Sequence, residues 1–466
     1  MRIIMEINEI LVIGMFISFI AFLFTGIPVG YVLAGIGVIF GFLGYFSDLY
    51  LGTITGLDFN TLGLIVPRLF SLMENWVLVA LPMFIFMGLM LDRSGIAERL
   101  MLSMQDLFGK VRGGLALSVT LIGIILAAST GIIGASVVLL GLLSMPAMMK
   151  QGYSKSLAAG TICSAGTLGI LLPPSIMLVI MADQLALSVG DLFMGAVFPG
   201  LLLGFLYLAY ILIAAYLKPS IAPLPKNAPD LEWKIVAGVL KNILPPMFLI
   251  LAVLGSIFAG VATPTEASGV GALGAIILAA YYKKLTFPVF KSVSLDAYRT
   301  TSYIFMIFIG ATMFALVLRE LGGDELIERG LTSLPFGPYG VLIAILLIVF
   351  LLGFLLDWIE ITLIALPLLA PVILGLDFNV EGYGVLDEPK LIWFVMLVAI
   401  TLQTSFLTPP VGFALFYLKG VCPPEVKLMD IYRGVIPFII LQLIGLSIVI
   451  ALPAIVTWLP AYVYGN

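Results

Sequence analysis

Histidine is absent from the 466-residue sequence, and cysteine occurs only twice, as Cys163 and Cys422. The absence of histidine excludes histidine-based acid–base catalysis and histidine-ligated metal centres. Two cysteines form neither a disulfide framework nor a metal-binding set, so both are interpreted as small apolar residues. The sequence also lacks the G-K-[ST] phosphate loop, which excludes nucleotide hydrolysis through that motif.

Charge is scarce as well. Only 10% of the residues are charged and 62% are hydrophobic, whereas a soluble globular chain has about 25% charged residues. So few charges cannot cover the surface of a soluble body of this size, and the missing polar surface must face lipid. The net charge of −4 is small and gives no indication of a nucleic-acid partner. The composition therefore predicts an integral protein that crosses a membrane many times.

Hydrophobic runs of about 20 residues, the length that crosses a bilayer core, recur along the chain. The candidate spans are residues 8–25, 27–46, 76–92, 114–130, 132–149, 157–182, 192–217, 241–263, 266–282, 300–318, 336–356, 357–376, 391–420 and 434–459. Lipid offers no partners to bare backbone groups, so helices are required, and an all-α fold with about eleven to thirteen crossings is predicted. No clear cleavage site separates the first two runs, and the first is expected to be a retained helix.

A stretch rich in proline and charge, residues 218–234, lies near the middle of the chain. Residues 218–240 are interpreted as a linker between two halves, 1–217 and 241–466. The halves echo each other weakly, because Gly169–Ser175 and Ser405–Val411 each place a Pro-Pro pair in an apolar segment.

Each of these two segments is preceded, some 40 to 50 residues earlier, by a polar or glycine-bearing apolar segment: Ser129–Gly131 in one half and Gly353–Asp357 in the other. We therefore expect a first hairpin within about 114–182, a second at about 336–376 and a broken helix at about 391–420. Matched interrupted segments indicate the binding site of a secondary transporter. The alternative is that each Pro-Pro pair only marks a loop between helices.

Broken helices provide suitable chemistry for transport. Proline lacks an N–H, so the carbonyls before a Pro-Pro pair lose their helical partners and can coordinate a cation such as sodium. Free N–H groups at a half-helix N-terminus suit a carboxylate. Neutral oxygen donors surround the two breaks: Ser129, Thr130, Ser136, Ser164 and Thr167 at the first, and Thr401, Gln403, Thr404, Ser405 and Thr408 at the second. Alternatively, these side chains bond to carbonyls of their own helices or pack between helices.

Four acidic residues lie in or beside apolar stretches. Because a charge at the bilayer centre costs about 3 kcal/mol or more, such residues usually serve an ion or substrate path. Asp357 and Glu266 fit either that role or a helix end in the headgroup region. For Asp183 and Glu360 the helix end is the favoured interpretation.

Several motifs occur in a specific order and spacing. They are Gly26-Ile-Pro-Val-Gly30, Leu81-Pro-Met-Phe-Ile-Phe-Met-Gly88, Ser94-Gly-Ile96, Arg112-Gly-Gly-Leu-Ala116, Gly152-Tyr153, Gly166-Thr-Leu-Gly-Ile-Leu-Leu-Pro-Pro-Ser175, Phe198-Pro-Gly200, Thr263-Pro-Thr-Glu266 and Leu407-Thr-Pro-Pro-Val-Gly412. With them the chain resembles, over roughly residues 8 to 455, the large permease subunit of tripartite ATP-independent periplasmic (TRAP) transporters.

The resemblance implies a sodium-driven elevator fold with two inverted repeats and re-entrant hairpins, and no cofactor other than the coupling ions. It implies two groups of sodium-binding residues: Thr130, Gly169, Leu172 and Pro174 at the first hairpin, and Gly353, Ser405, Thr408 and Val411 at the second. Further substrate or gating candidates are Ser129, Gly131, Ser175, Glu266, Asp357, Pro409 and Pro410. The chain departs from the family's common Ser-Gly-Ser-Ser run, because Ile132 and Ile133 replace two hydroxyl-bearing residues.

The family further implies two partners, a periplasmic substrate-binding protein that delivers an organic acid and a small four-helix membrane subunit. Because spans occupy the chain from its first residues to its last, both partners are expected to be separate polypeptides in or beside the bacterial inner membrane. The main alternative is a self-sufficient sodium/carboxylate symporter of the same hairpin architecture. An enzyme is not expected, since no cluster of catalytic residues converges.

Overall fold

A computed structural model describes residues 6–130, 133–225 and 232–465, with the main chain alone at 127–130. The regular secondary structure in these ranges is helical. The α-helices are α1 (Ile7–Leu23), α2 (Val29–Leu51), α3 (Phe59–Gly63), α4 (Ile65–Met73), α5 (Ala80–Arg93), α6 (Ile96–Leu107), α7 (Gly114–Thr130), α8 (Ile133–Lys150), α9 (Lys155–Thr167), α10 (Ile176–Gln184), α11 (Val189–Leu217), α12 (Trp233–Phe258), α13 (Pro264–Tyr281), α14 (Phe287–Glu320), α15 (Gly323–Thr332), α16 (Pro338–Leu352), α17 (Trp358–Glu360), α18 (Leu366–Gly375), α19 (Pro389–Leu407), α20 (Phe413–Val421), α21 (Leu428–Ala451) and α22 (Ala454–Tyr464).

The all-helical membrane fold predicted from composition is confirmed. Within the described residues, nine helical segments are long and apolar enough to cross a membrane, and shorter apolar helices accompany them. The predicted spans 157–182 and 391–420 each divide into two helices, α9 with α10 and α19 with α20. Helix α12 begins at Trp233, inside the predicted linker.

The hydropathy pattern missed α3, α4 and α6. Helices α4 and α6 are amphipathic: Arg68 and Glu98 interrupt their apolar residues. A helix with one polar face contains no long unbroken stretch of apolar residues, and so a search for long apolar runs does not detect it.

The described chain divides into two compact units that cut across the predicted halves. Unit 1 comprises Met1–Trp76 with Arg299–Phe378, and unit 2 comprises Val77–Tyr298 with Asn379–Asn466. Each unit takes residues from both sides of the central linker. The two predicted halves therefore do not coincide with the two compact units. Their relation as inverted repeats stays a prediction.

Unit 1 is built around close contact between α2 and α14. A Cβ on Gly310 would lie 2.2 Å from the Gly30 carbonyl oxygen, so the two backbones touch where both residues are glycine. Phe314 of α14 also packs against Phe16 and Phe19 of α1, with ring centroids 5.9 and 5.5 Å apart. Small residues at a crossing are the usual means of close helix packing in membranes.

Unit 2 encloses two helices almost completely. Every residue of α9 from Leu157 to Thr167 is buried, and so is every residue of α19 from Leu391 to Leu407. A helix that is apolar on all sides belongs to the interior of a large assembly of helices. These two central helices are the ones that run into the Pro-Pro segments.

Candidate functional site

The first Pro-Pro segment follows α9 as a buried break between two helices. After α9 the chain makes a single 3-10 turn, Leu168–Ile170, and then passes through the cis Pro173–Pro174 bond into α10. In an α-helix the N–H of residue i bonds to the carbonyl of residue i−4. Pro173 has no N–H, so the Gly169 carbonyl lacks that helical partner.

Ser175 completes the first break from its far side. Its hydroxyl donates to the Ile170 carbonyl over 2.6 Å, and the same oxygen accepts from the Leu178 N–H at 3.5 Å. The residue thus replaces the partner that Pro174 cannot provide to Ile170, and it caps α10. Gly169, Leu172, Pro174 and Ser175 are all buried, so the predicted residues of this break that the structure describes share one enclosed region.

The second Pro-Pro segment repeats this arrangement after α19 but is more accessible. Thr408 ends α19, the Pro409–Pro410 bond is cis, and α20 begins at Phe413. Ser405 is fully buried, Thr408 and Pro409 are half-buried, and Pro410 and Val411 are exposed. The Thr408 hydroxyl donates to the Thr404 carbonyl at 2.7 Å. Its hydrogen is therefore committed, while the oxygen lone pairs can still face a cation.

The two central helices meet through side chains just before their breaks. The Gln403 amide nitrogen of α19 donates to the Thr167 hydroxyl of α9 at 3.4 Å and to the Tyr207 hydroxyl of α11 at 3.3 Å. All three residues are fully buried. Gln403 and Thr167 were predicted as oxygen donors around the breaks, whereas the sequence reasoning missed Tyr207, because a single tyrosine in a long apolar span carries no motif.

Most of the other hydroxyl side chains near the breaks bond within their own helices. Ser164 donates to the Gly160 carbonyl, Thr401 to the Leu397 carbonyl and Thr404 to the Ile400 carbonyl, at 2.8, 2.7 and 2.8 Å. For these three residues the structure thus supports the alternative stated above, in which the hydroxyl bonds to a carbonyl of its own helix. Ser175 differs, because its hydroxyl bonds across the break.

The tip of the first predicted hairpin lies mostly outside the described residues. Ser129 and Thr130 are the last residues of α7, and the structure describes only their main chain. Gly131 and Ile132 lie outside the described residues, and Ile133 begins α8 as a buried residue. The roles predicted for Ser129, Thr130 and Gly131 therefore stay predictions.

The tip of the second predicted hairpin belongs to unit 1. Helix α16 ends before Gly353, and Asp357 is the N-cap of α17, accepting the Trp358 N–H at 2.8 Å. Asp357 thus caps a helix rather than standing free in the interior. A π-helical segment, Ile361–Ala365, follows α17.

Glu360 lies near a helix end, as predicted, and it is only 1% exposed. Its Oε2 atom has no hydrogen-bond partner among the described residues, and Glu360 lines an apolar cavity of about 460 Å³ with residues of α1, α15, α16 and α18. A carboxyl buried in this way is costly and usually functional in a membrane protein.

Glu266 has a local structural role. Its Oε2 atom accepts the Thr263 N–H and the Thr263 hydroxyl, both at 2.8 Å, while the Thr263 oxygen accepts the Glu266 N–H at 3.3 Å. This reciprocal pair is a capping box at the start of α13. Of the two interpretations that the sequence left open, the structure favours the helix end.

Comparison with known proteins gives consistent matches. The family model of the tripartite ATP-independent periplasmic transporter, DctM component, matches residues 16–455. The chain is 30% identical to the C4-dicarboxylate TRAP transporter large permease protein DctM of Vibrio cholerae, over 97% of this chain and 98% of that protein. It is 26% identical to the sialic acid TRAP transporter large permease protein SiaM of the same species, over 97% and 99%. Among solved structures, the YdaH transporter of Alcanivorax borkumensis matches 87% of this chain and 91% of its own, with a TM-score of 0.56 and 14% identity, and this likeness concerns the fold alone.

Proposed function

Because this chain belongs to the DctM component family of tripartite ATP-independent periplasmic transporters, we propose that it carries an organic acid across the bacterial inner membrane at the expense of a sodium gradient. A periplasmic substrate-binding protein delivers the acid, and a small four-helix membrane subunit completes the membrane complex. The chain is a transport protein rather than an enzyme.

The observation that carries the proposal is the pair of proline breaks in the centre of unit 2. Pro173 and Pro409 follow α9 and α19, which are buried from Leu157 to Thr167 and from Leu391 to Leu407. Irregular backbone at membrane depth is tolerated only where protein or a watery cavity provides partners for its polar groups. Two such interruptions in one enclosed body are the arrangement that secondary transporters use to bind substrate and coupling ions.

Sodium suits the oxygen atoms at both breaks. We assign the first ion to oxygens of Thr130, Gly169, Leu172 and Pro174, and the second to oxygens of Ser405, Thr408 and Val411. Gly353, which the resemblance implies as a further ligand, belongs to unit 1 and stays a prediction. Carbonyl and hydroxyl oxygens are hard, neutral ligands, and they bind an alkali cation without the large desolvation cost of a buried carboxylate. Because Ile132 and Ile133 replace two hydroxyl-bearing residues, main-chain oxygens take the place of those hydroxyls as ligands of the first ion.

The transported molecule is proposed to bear a carboxylate. The two relatives named above are transporters of a C4-dicarboxylate and of sialic acid, and both compounds carry that group. Gating is assigned to the residues at the breaks and the hairpin tips, with Ser129, Gly131, Ser175, Asp357, Pro409 and Pro410 as the candidates. Movement of a hairpin-bearing body relative to a fixed scaffold, an elevator, provides alternating access in this proposal.

A thermal shift series tests the sodium site without requiring the substrate. The purified chain is melted in sodium, potassium and choline chloride at equal ionic strength. A ligand that binds only the folded form adds about 2.7 kcal/mol at a hundred times its dissociation constant, which is enough to move the midpoint by several degrees. Sodium alone is expected to raise the melting temperature, and Thr408→Val is expected to lose most of that rise.

Thr312→Val is the matched control for Thr408→Val. Thr312 of α14 is also half-buried, and its hydroxyl also donates to the carbonyl four residues earlier, Phe308, at 2.7 Å. It is expected to keep the full sodium response. Equal midpoints in the three salts for the native chain would refute a preformed sodium site in this subunit.

Reconstitution distinguishes the tripartite transporter from a self-sufficient symporter. Proteoliposomes containing this chain alone are compared with proteoliposomes that also contain the small subunit and receive the loaded binding protein. Uptake of labelled organic acid only in the complete system, and only with sodium outside, is the expected result. Equal uptake by the chain alone would replace the proposal with the self-sufficient sodium/carboxylate symporter.

A further inference from the structure

The two breaks correspond residue by residue at a constant separation. The contact between Thr167 and Gln403 joins residues that are 236 positions apart, and the same separation relates Pro173 to Pro409 and Pro174 to Pro410. Helices α10 and α20, which follow the breaks, have nine residues each and begin at Ile176 and Phe413, within one residue of that separation. Thr167 and Gln403 therefore occupy the same place relative to the two Pro-Pro pairs.

A residue that touches its own counterpart marks the centre of a two-fold arrangement. In a two-fold interface, if residue i contacts residue j then j contacts i, so only residues on the axis meet their equivalents. Thr167 and Gln403, which we call the crossing pair, satisfy this condition between α9 and α19. The central helices thus meet at equivalent points, one turn and a half before each proline.

The crossing pair consists of polar side chains in a fully buried position, where apolar side chains would pack equally well. Thr167, Gln403 and Tyr207 are each 0% exposed. Thr167 donates its own hydrogen to the Ser164 carbonyl at 3.0 Å, which fixes its oxygen as the acceptor for Gln403. Tyr207 is positioned by edge-to-face packing on Phe438, with ring centroids 5.3 Å apart.

One polar atom of this cluster stays unmatched. The Gln403 Oε1 atom has no hydrogen-bond partner within the ranges that the structure describes. A buried, unmatched acceptor is unfavourable, and each such group in a folded protein requires an explanation. Stabilisation of the fold alone does not supply one here, because replacing the whole cluster with apolar groups of the same shape would remove the unmatched atom at little cost.

We propose that the crossing pair couples the two breaks, so that a sodium ion bound at one break raises the affinity of the other break for sodium. Thr167 lies two residues before Gly169, and Gln403 lies two residues before Ser405. Gly169 and Ser405 each precede the first proline of their break by four positions. Because α9 and α19 are buried along their lengths, a shift that orients these carbonyls towards an ion is transmitted through the crossing pair. This inference rests on the proposed sodium coupling and makes Thr167 and Gln403 positioning residues.

Sodium titrations of uptake test the coupling. The complete reconstituted transporter is measured over a range of sodium concentrations with the native chain, Gln403→Leu, Thr167→Val and the double variant. Thr167→Ser keeps the hydroxyl and serves as the conservative variant. Thr120→Val is the matched control, because Thr120 is also buried and its hydroxyl donates only to Ala116 of its own helix, at 3.0 Å. Melting temperatures in choline chloride report folding separately.

The native chain and Thr120→Val are expected to show a Hill coefficient for sodium clearly above 1. Gln403→Leu and Thr167→Val are expected to bring it to about 1 and to raise half-saturating sodium about 5-fold or more, the usual range of coupling between sites. The double variant is expected to be no worse than either single variant, since both remove one interaction. Thr167→Ser is expected to behave like the native chain.

Three outcomes would contradict the coupling, and they are distinguishable. Lower melting temperatures with an unchanged Hill coefficient would make the crossing pair purely structural. A native Hill coefficient of about 1 would remove the coupling and leave sodium-driven transport intact. Sodium-independent uptake by the native chain would overturn the proposed function itself, and the coupling with it. If Gln403→Leu does not fold, Thr167→Val decides, because it exchanges only a hydroxyl for a methyl group.

Discussion

Gly160 of α9 and Gly434 of α21 bring two helix backbones into direct contact. A Cβ on Gly160 would lie 2.1 Å from the Gly434 carbonyl oxygen, and a Cβ on Gly434 would lie 2.1 Å from the Ser156 carbonyl oxygen. The obstructing atoms are backbone in both cases, so a rotamer change cannot make room. Helix α21 therefore packs backbone to backbone against α9, the helix that leads into the first break.

Alanine at either glycine is expected to destabilise unit 2. Gly160→Ala and Gly434→Ala should each cost about 1–3 kcal/mol or more, because overpacking forces backbone shifts. Thermal unfolding in detergent measures the loss. The control is Gly255→Ala on α12, where a Cβ meets no atom within 4 Å in the described part of the chain. That control should melt like the native chain or slightly higher, and a Gly160→Ala protein with the same midpoint would disprove the backbone contact.

Ser175→Ala is expected to affect both stability and transport. The change removes a buried hydrogen bond to Ile170 and the cap of α10, which together are worth about 1–3 kcal/mol. Uptake should also fall, because the Ile170 carbonyl lies within the first break and would be free to turn.

Ser154→Ala separates these two effects. Ser154 also caps a helix, accepting the Leu157 N–H at the start of α9 at 3.2 Å, but it lies far along the chain from the Pro-Pro pair. It should cost about 1 kcal/mol, the usual value of an N-cap, with sodium-dependent uptake retained. Equal uptake by the two variants, after correction for folded protein, would argue against a transport role for Ser175.

Glu266 variants are expected to change stability without changing ligand affinity. Glu266→Ala removes the acceptor of the capping box and should lower the melting temperature slightly. Glu266→Gln keeps one carbonyl oxygen as an acceptor and should lower the melting temperature less. Neither change should alter the half-saturating concentration of sodium or of the organic acid. A rise in either concentration for Glu266→Gln would restore Glu266 as a site residue.

Asp48→Asn is expected to loosen the connection between α2 and α3. The Asp48 carboxylate accepts hydrogen bonds from the Thr53 hydroxyl at 2.6 Å, from the Thr55 N–H and hydroxyl at 2.8 Å each, and from the Gly56 N–H at 3.1 Å. An amide has one acceptor oxygen instead of two, and its NH₂ group would face donors.

Hydrogen exchange measures this loosening. The amides of Thr55 and Gly56 should exchange faster in Asp48→Asn, while those of α9 should be unaffected. Asn60→Ala is a suitable control, because the Asn60 side chain contacts only Asp58 in this region, at 3.2 Å. Unchanged exchange at Thr55 would show that the carboxylate does not organise the loop.

Local chemistry explains why much of the site could be read from the sequence. Pro173 and Pro409 weaken a helix locally, because a residue without an N–H leaves a carbonyl of the preceding turn without its helical partner. Their positions in apolar runs indicated two breaks, and the structure has both. The Thr263–Glu266 capping box is equally local, and a helix end was one of the two interpretations that the sequence left open for Glu266.

Contacts between distant parts of the chain could not be predicted in this way. Glu360 is buried because α1, α15 and α16 surround it, and three-residue spacing from Asp357 carries no information about those helices. Tyr207 meets Gln403 only because α11 packs beside α19, 196 positions further along the chain. The packing of small residues such as Gly160 and Gly434 is likewise invisible until the helices are assembled.

The sequence by itself determined that this protein is helical and membrane-embedded with two proline breaks, because composition, apolar run length and proline act through local physics. Its ordered motifs carried the resemblance to a transporter subunit. Tertiary structure alone decided which helices are central, that Thr167 meets Gln403, and that Glu360 is enclosed. Burial and side-chain pairing depend on which helices become neighbours, and that choice is made by the packing of the whole chain rather than by any single segment.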